Sequence, residues 1–410
     1  MSFQQGLSGL NAAAKNLDAI GNNVANSSTV GFKQSQVQFA DVYANSLTGS
    51  GGSNIGIGTK VAALAQQFTQ GNITSTNNPL DIAINGNGFF RMDNNGEITY
   101  QRNGQFQLDR LGYIVTPGGA QLTGYTASAS GVLSTGSPAP ISISTSDLAP
   151  QVTSEVNAVL NLDSSVTALP AASFNMNDPT TFHNSTSVSI YDSLGNQHTM
   201  QTYYVKTGAG AWSVFASVDG TPVGYVPPAA PVAVGTLAFN SSGALTTAMP
   251  MTIPVAVSTG ATTPFNVDVD YTGTTQFGSA FSVNTLNQDG FTSGRLSGFS
   301  VGADGIIQGR YTNGQSAVLG QVVLASFANP NGLQPIGNNM WAETATSGAP
   351  LVGSPDSGNL GVLQSSAVED SNVDLTAELV NMITAQRVYQ ANAQTIKTQD
   401  AVMQTLVNLR

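Results

Sequence analysis

The strongest constraint on this chain sits at its two ends. Phe3, Leu7, Leu10, Ala14, Leu17, Gly21 and Val24 recur at alternating steps of four and three, the a/d seam of a heptad helix, with Gln4, Gln5, Asn11, Lys15, Asp18 and Asn22 between them. Such a helix would be roughly 33 Å long at about 1.5 Å per residue. Alone in water, one narrow apolar stripe does not offset the entropy of ordering it. The run GNNVANSSTVGFK at 21–33 then ends it: the seam carries the helix through residues 23–25, and side chains that compete for backbone hydrogen bonds stop it near 26–28. A chain that opens this way needs a second helix from elsewhere.

The far end supplies one. Ser371-Asn372-Val373-Asp374 reads as a capping box, and the segment that follows runs to Arg410 without Gly or Pro. Its seam is Leu375, Leu379, Met382, Gln386, Tyr389, Ala393, Ile396, Asp400, Met403, Val407 and Arg410. The polar members Gln386 and Asp400 weaken a coiled coil while fixing its register. Residues 1–30 are therefore expected to pair with 371–410, inside a C-terminal coiled-coil segment at 366–410. Gly31 is expected to act as a hinge, and Phe32 as an anchor against a neighbouring subunit.

Between the helices the pattern is β. Residues 80–125 alternate apolar and polar side chains around Asn85-Gly86, Asn95-Gly96 and Asn103-Gly104, and residues 295–345 do so around Asp304-Gly305 and Asn313-Gly314. The middle changes character at Ser-, Thr- and Pro-rich stretches such as STGSPAPISISTSDLAP and TTQFGSAFSVNTLNQ. The fold class expected is mainly β with a terminal α-helical coiled coil, nested as several domains. An inner β domain comes from 76–148 and 286–365, an outer β domain at 149–285 is inserted into it, and 31–75 is an extended or hairpin-like linker. Residues 27–75 are expected to lack order in the monomer, because GSGGSNIGIG offers no core.

Composition narrows the chemistry. Charged residues are 9% of the chain, the net charge is −11 and only 12 Lys and Arg are present, which argues against nucleic acid and against anionic membranes. Without Cys there is no disulfide, thiol nucleophile or thiolate metal site. Nor is there a basic, apolar secretory leader or a stretch of about 20 apolar residues, so either the chain stays in the cytoplasm or it leaves by a route without signal cleavage.

Candidate catalytic residues do not assemble into a mechanism. His183 and His198 are the two histidines, and HExxH and Walker-type lysine loops are missing. A His198–Asp192 pair across the YDSLGNQ turn is conceivable, but an exposed hairpin histidine is the stronger reading. Asn266, Asp268 and Asp270 imitate a calcium loop, yet Tyr271 stands where the turn needs Gly and Phe277 where the loop needs Glu. Tyr203, Tyr204 and Trp212 could line a sugar site in a secreted β-rich adhesin, although alternating strand aromatics usually pack a core. Catalytic, cofactor and metal sites are all expected to be absent.

The quoted ends also carry a resemblance. SGLNAAAKNLDAIGNNVANSSTVGFK and SNVDLTAELVNMITAQRVYQANAQTIKTQDAVMQTLVNLR resemble the N- and C-terminal signatures of the flagellar rod and hook axial protein family. FADVYANS, LDIAINGNGFF, YQRNGQFQLDRLGY, QLTGY, SIYDSLGNQHTMQTYYVKT and VLGQVVLASFANPNGL resemble its hook members; the likeness is weakest around 220–260. That resemblance implies a non-enzymatic structural subunit that self-assembles into a flexible helical tube, a universal joint carrying torque from rod to filament. It also implies an extracellular location in the flagellum, reached through the flagellar type III export apparatus without a cleaved signal. The implied partners are further copies of the chain, the distal rod protein, the hook cap protein and the hook–filament junction protein. A distal rod subunit of the same family is the alternative.

Overall fold

The computed structural model describes residues 2–42, 56–128, 131–144, 146–224 and 232–408. The chain forms two units: Met1–Thr145 with Gly298–Arg310 and Ser316–Arg410, and Ser146–Ser297 with Tyr311–Gln315.

The first unit holds both long helices, α1 (Ser2–Ala25) and α2 (Leu375–Asn408), which pack against each other. Asp374 caps α2 by accepting the N–H groups of Thr376 and Ala377, so one carboxylate does the work assigned to a capping box. After α1 the chain turns into a two-stranded antiparallel ribbon, β1 (Ser35–Val42) and β2 (Gly58–Gln66), laid along α1. Residues 27–42 and 56–75 thus have defined structure, contrary to the expectation of disorder. The reason is that the helix, not the Gly/Ser-rich segment, supplies the packing surface. Most of GSGGSNIGIG lies outside the described residues.

Strands β3 (Ile73–Ser75) and β4 (Ile82–Asn85) pair with Ala367–Glu369 and Val362–Ser365, which brings the approach to α2 alongside the exit from α1. The hairpin β5 (Phe89–Asn94) and β6 (Glu97–Gln101) turns at Asn95-Gly96, both with positive φ, the backbone that a two-residue hairpin requires. Pairing continues from β5 to Gln121–Thr126 and Ser316–Val322, and from β6 to Met340–Ala342. Beneath lie Phe89, Tyr100, Phe327, Leu333 and Trp341, with Tyr100 edge-on to Phe327 at 4.8 Å. Trp341 Nε1 donates to Gln66 Oε1 at 2.6 Å and ties β2 to that core.

The second unit contains two sheets around one core. Glu155–Asp163 runs parallel to Phe265–Asp270 and antiparallel to Ser282–Gln288, while Asn184–Tyr191, Gln197–Gly208 and Ala211–Val218 form the other sheet. Residue 286, where the reading above placed a boundary, therefore falls inside a strand of this unit. Its Ser/Thr-rich neighbourhood reads as a linker, but its backbone pairs with 155–163. Tyr204 and Trp212 are fully buried and Tyr203 nearly so, which removes the sugar-binding reading. Phe215 points to a second small core, where it stacks on Phe174 at 4.1 Å.

Candidate functional site

The α1–α2 contact is built from small and polar side chains. On α1 it is Gly6, Gly9, Ala13, Asn16, Ile20 and Asn23, again at steps of three and four; on α2 it is Glu378, Ala385, Asn392 and Ile396. The helices are antiparallel: Gly6 meets Ile396, Gly9 meets Asn392 and Asn23 meets Glu378. A Cβ at Gly9 would lie 2.8 Å from Asn392 Oδ1, so a larger side chain there must displace the Asn392 amide. Gly9→Leu is expected to force the helices apart at a cost of about 1–3 kcal/mol, seen as a lower melting temperature of the helical circular dichroism signal.

This face is one residue out of step with the seam expected for α1. One residue is about 100° around a helix. Phe3 and Leu7 stay 49% and 44% exposed, while Leu10, Ala14, Leu17 and Val24 are only half-buried. On α2 the expected seam residue that meets α1 is Ile396, opposite Gly6, while Met382 is half-buried and Tyr389 is exposed. Leu375, Leu379, Gln386, Asp400, Met403 and Val407 are exposed and Ala393 half-buried. Asp400 accepts a bond from Gln404 on its own helix rather than setting register. The physical reason is volume, because α1 offers one stripe of small residues and one of large, and only the small one lets a second helix come close. Since α2 retreats one residue for each advanced on α1, beyond about residue 400 it has no α1 residue opposite.

At the root of the helix pair, polar contacts replace apolar ones. Asn23 exchanges two hydrogen bonds with the Ser35 backbone, both 2.9 Å, and its amide also donates to Glu378. Gln34 donates to the other Glu378 oxygen, and Asn372 receives the Gln34 N–H while donating to the Gln67 carbonyl. The GNNVAN run thus stops the helix and fastens it to the start of β1.

Below this lies a buried charge cluster that the sequence reading missed. Lys33 Nζ donates to Glu369 Oε1 at 2.7 Å and to the Thr69 carbonyl at 2.7 Å. Arg102 reaches Glu369 Oε2 at 3.2 Å and the Gly86 carbonyl at 2.8 Å, and the Gly71 N–H meets Glu369 Oε1 at 2.9 Å. All three charged side chains are out of water. Burial pulls the Lys33 ammonium below its ordinary range; the Glu369 carboxylate opposes this, and Arg102 adds to it. Three distant segments of the chain meet on one carboxylate.

Gly31 sits beside this cluster with φ +71°, donating its N–H to the Glu369 carbonyl. A Cβ there would come within 2.6 Å of Asn103 N, so Gly31 is a fixed turn rather than a hinge. Gly31→Ala is expected to lower the stability of the first unit by at least about 1–2 kcal/mol from the backbone conformation alone, measurable by thermal melting. Phe32 is only 9% exposed in its own chain, so it is not the free anchor expected; the bonds of Gly31 and Lys33 on either side draw it inward.

A groove of about 600 Å³ runs between the helices and the ribbon, lined by Gly9, Asn16, Ile20, Phe39, Ala385 and Val388. Among the described residues no group of three or more His, Asp or Glu is placed to hold a metal, and no helix is long and apolar enough to cross a membrane. His198 is buried between Asp192 and Asp219 rather than exposed. The two carboxylates face opposite ring nitrogens and so do not share a centre.

Comparison with known proteins agrees along the chain. Four family models match: Flagella basal body rod protein over 3–33, Flagellar hook protein FlgE/F/G D1 domain over 83–159, Flagellar basal body protein FlaE D2 domain over 161–291, and Flagellar basal body rod FlgEFG protein C-terminal over 364–409. The chain is 44% identical to the flagellar hook protein FlgE of Salmonella typhimurium and 43% identical to that of Escherichia coli, each over 100% of both chains. A solved structure of the Helicobacter pylori flagellar hook protein FlgE2 aligns with TM-score 0.55 at 15% identity, covering 72% of this chain and 100% of that one, a likeness of fold.

Proposed function

Because the chain belongs to the flagellar hook protein family, a structural family, we propose that it builds the hook tube through the apolar stripes its own fold leaves uncovered. The observation that carries this is the exposure of Phe3, Leu7, Leu375, Leu379, Val380, Ile383, Val388, Val402, Met403 and Val407 on one helix pair. A monomer gains nothing by keeping that much apolar surface in water. Further copies of the chain cover it, by head-to-tail contacts that extend into an open helical lattice.

The buried joint gives this lattice a way to carry load. Force on α1 and α2 enters through residues 31–35 and 369–374, where Lys33, Arg102, Asn372 and Glu369 lock the chain to β3 and β6. A chain with 9% charged residues can form few fixed ion pairs with its neighbours, which lets them shift past one another as the tube bends. Contacts with the distal rod protein at one end, and with the hook cap and hook–filament junction proteins at the other, follow from that position. Export through the flagellar type III apparatus without a cleaved signal belongs to the same reading, as does the absence of catalysis and of any cofactor.

Removal of residues 375–410 is the test. The truncated chain is expected to keep a folded second unit, to form no tubes under electron microscopy and to leave cells non-motile; tubes of normal length without α2 would end the proposal. Curved tubes from the full chain fit a hook subunit, and tubes that stay straight in every condition fit a rod subunit instead.

A further inference from the structure

The second unit contains a histidine clamped by two carboxylates from two turns. Asp192 Oδ1 accepts the N–H groups of Leu194 and Asn196 at 2.9 Å each, and Oδ2 accepts Asn196 Nδ2 at 2.9 Å and the Thr259 hydroxyl at 2.6 Å. His198 Nε2 lies 3.3 Å from that same Oδ2. On the other side His198 Nδ1 lies 2.6 Å from Asp219 Oδ2, and Asp219 Oδ1 accepts the Thr199 N–H at 2.9 Å. The ring and Asp192 are buried, while the Asp219 side chain is 52% exposed in the turn after Ala211–Val218.

Two ring nitrogens facing two carboxylates require two N–H groups, and only imidazolium has both. A neutral ring sets a lone pair against a carboxylate oxygen at one contact. The Asp192 carboxylate accepts four other donors, whereas the Asp219 carboxylate accepts the Thr199 N–H and otherwise faces water, its backbone N–H being held by the Thr199 carbonyl at 3.0 Å. The weaker side gives way. We infer that His198 is a proton-operated clamp: as imidazolium it joins the Asp219 carboxylate to the junction of Asp192 and Thr259, and on losing a proton it releases that carboxylate while the backbone pairing of Asp219 with Thr199 stays in place.

Asp192 and Asp219 are the titratable groups in contact with the ring among the described residues. Burial alone lowers an imidazole pKa, but the hydrogen bonds and charges of Asp219 and Asp192 outweigh it and leave His198 above its ordinary value. The clamp is therefore fully formed below about pH 6.5 and is lost as pH rises through the raised folded value.

The experiment is a pH titration of the full-length monomer followed by NMR, where His183 and His198 give the two histidine ring signals. His198 is expected to titrate above pH 6.5, with the Thr199 and Asp219 backbone amides shifting at the same midpoint. Asp219→Asn keeps the left-handed turn at φ +50°, which Asn tolerates, and is expected to lower the His198 midpoint by about one pH unit, a tenfold loss of proton affinity. His198→Asn should abolish the pH response of both amides between pH 6 and 9. A His198 midpoint at or below about 6.5, amides that ignore the His198 titration, or an unchanged midpoint in Asp219→Asn would each overturn the clamp.

Discussion

Glu369→Gln is expected to destabilise the first unit by about 3–5 kcal/mol, the loss typical of removing one partner from a buried ion pair. The carboxylate it removes is fully out of water and is shared by Lys33, Arg102 and the Gly71 N–H. Without it, two cations remain in a site that already pulls the lysine pKa down by burial. Lys33→Met should cost less, because Glu369 keeps Arg102 at 3.2 Å. Urea unfolding separates these outcomes, read through Trp341 in a Trp212→Phe background so that the signal comes from the first unit. If Glu369→Gln and Lys33→Met proved equally mild, the cluster would be an incidental packing of charges. Because the same carboxylate joins the exit from α1 to the entrance of α2, Glu369→Gln should also reduce torque transmission in assembled tubes.

The second large effect separates folding from assembly. Leu379→Asp combined with Ile383→Asp is expected to leave monomer stability within about 0.5 kcal/mol per site, since the two side chains are 45% and 52% exposed and lie off the α1–α2 contact. Assembly should be abolished, because each subunit joining the lattice would bury unpaired carboxylates against apolar neighbours. Ala385→Asp is the contrasting variant: it places a carboxylate in the buried contact between the helices and should unfold the pair before assembly is tested. Sedimentation of polymer and circular dichroism of monomer, taken together, distinguish the two.

These variants rest on a face that the sequence revealed only in part. Heptad spacing gave the existence of both helices and their pairing, because period survives whatever the partner is. It did not say which of two parallel stripes on α1 faces α2, since Gly6, Gly9 and Ala13 keep the same rhythm one residue away from Leu7, Leu10 and Ala14. Large apolar side chains attract the eye, whereas a close helix contact selects small ones. Asn95-Gly96 turned its hairpin as read, because turn chemistry is local. Lys33 and Glu369 are 336 residues apart, and nothing local to either marks a buried pair. A lysine directly after Gly31-Phe32, in a chain with so few charges, was the available signal. His198 went wrong for a similar reason: its second partner, Asp219, arrives through the pairing of Gln197–Gly208 with Ala211–Val218 rather than through sequence proximity.

In the assembled tube the helix stripe left uncovered in the monomer is expected to be buried between copies. The chain has no Cys, so a single cysteine at Leu379 or Ile383 gives one reactive thiol in each subunit. Maleimide labelling of that thiol should be rapid in the monomer and slower by about tenfold or more in assembled tubes, the protection expected of a group withdrawn from water into an interface. Equal labelling rates in monomer and tube would contradict the account, because the stripe would then still face solvent in the finished polymer.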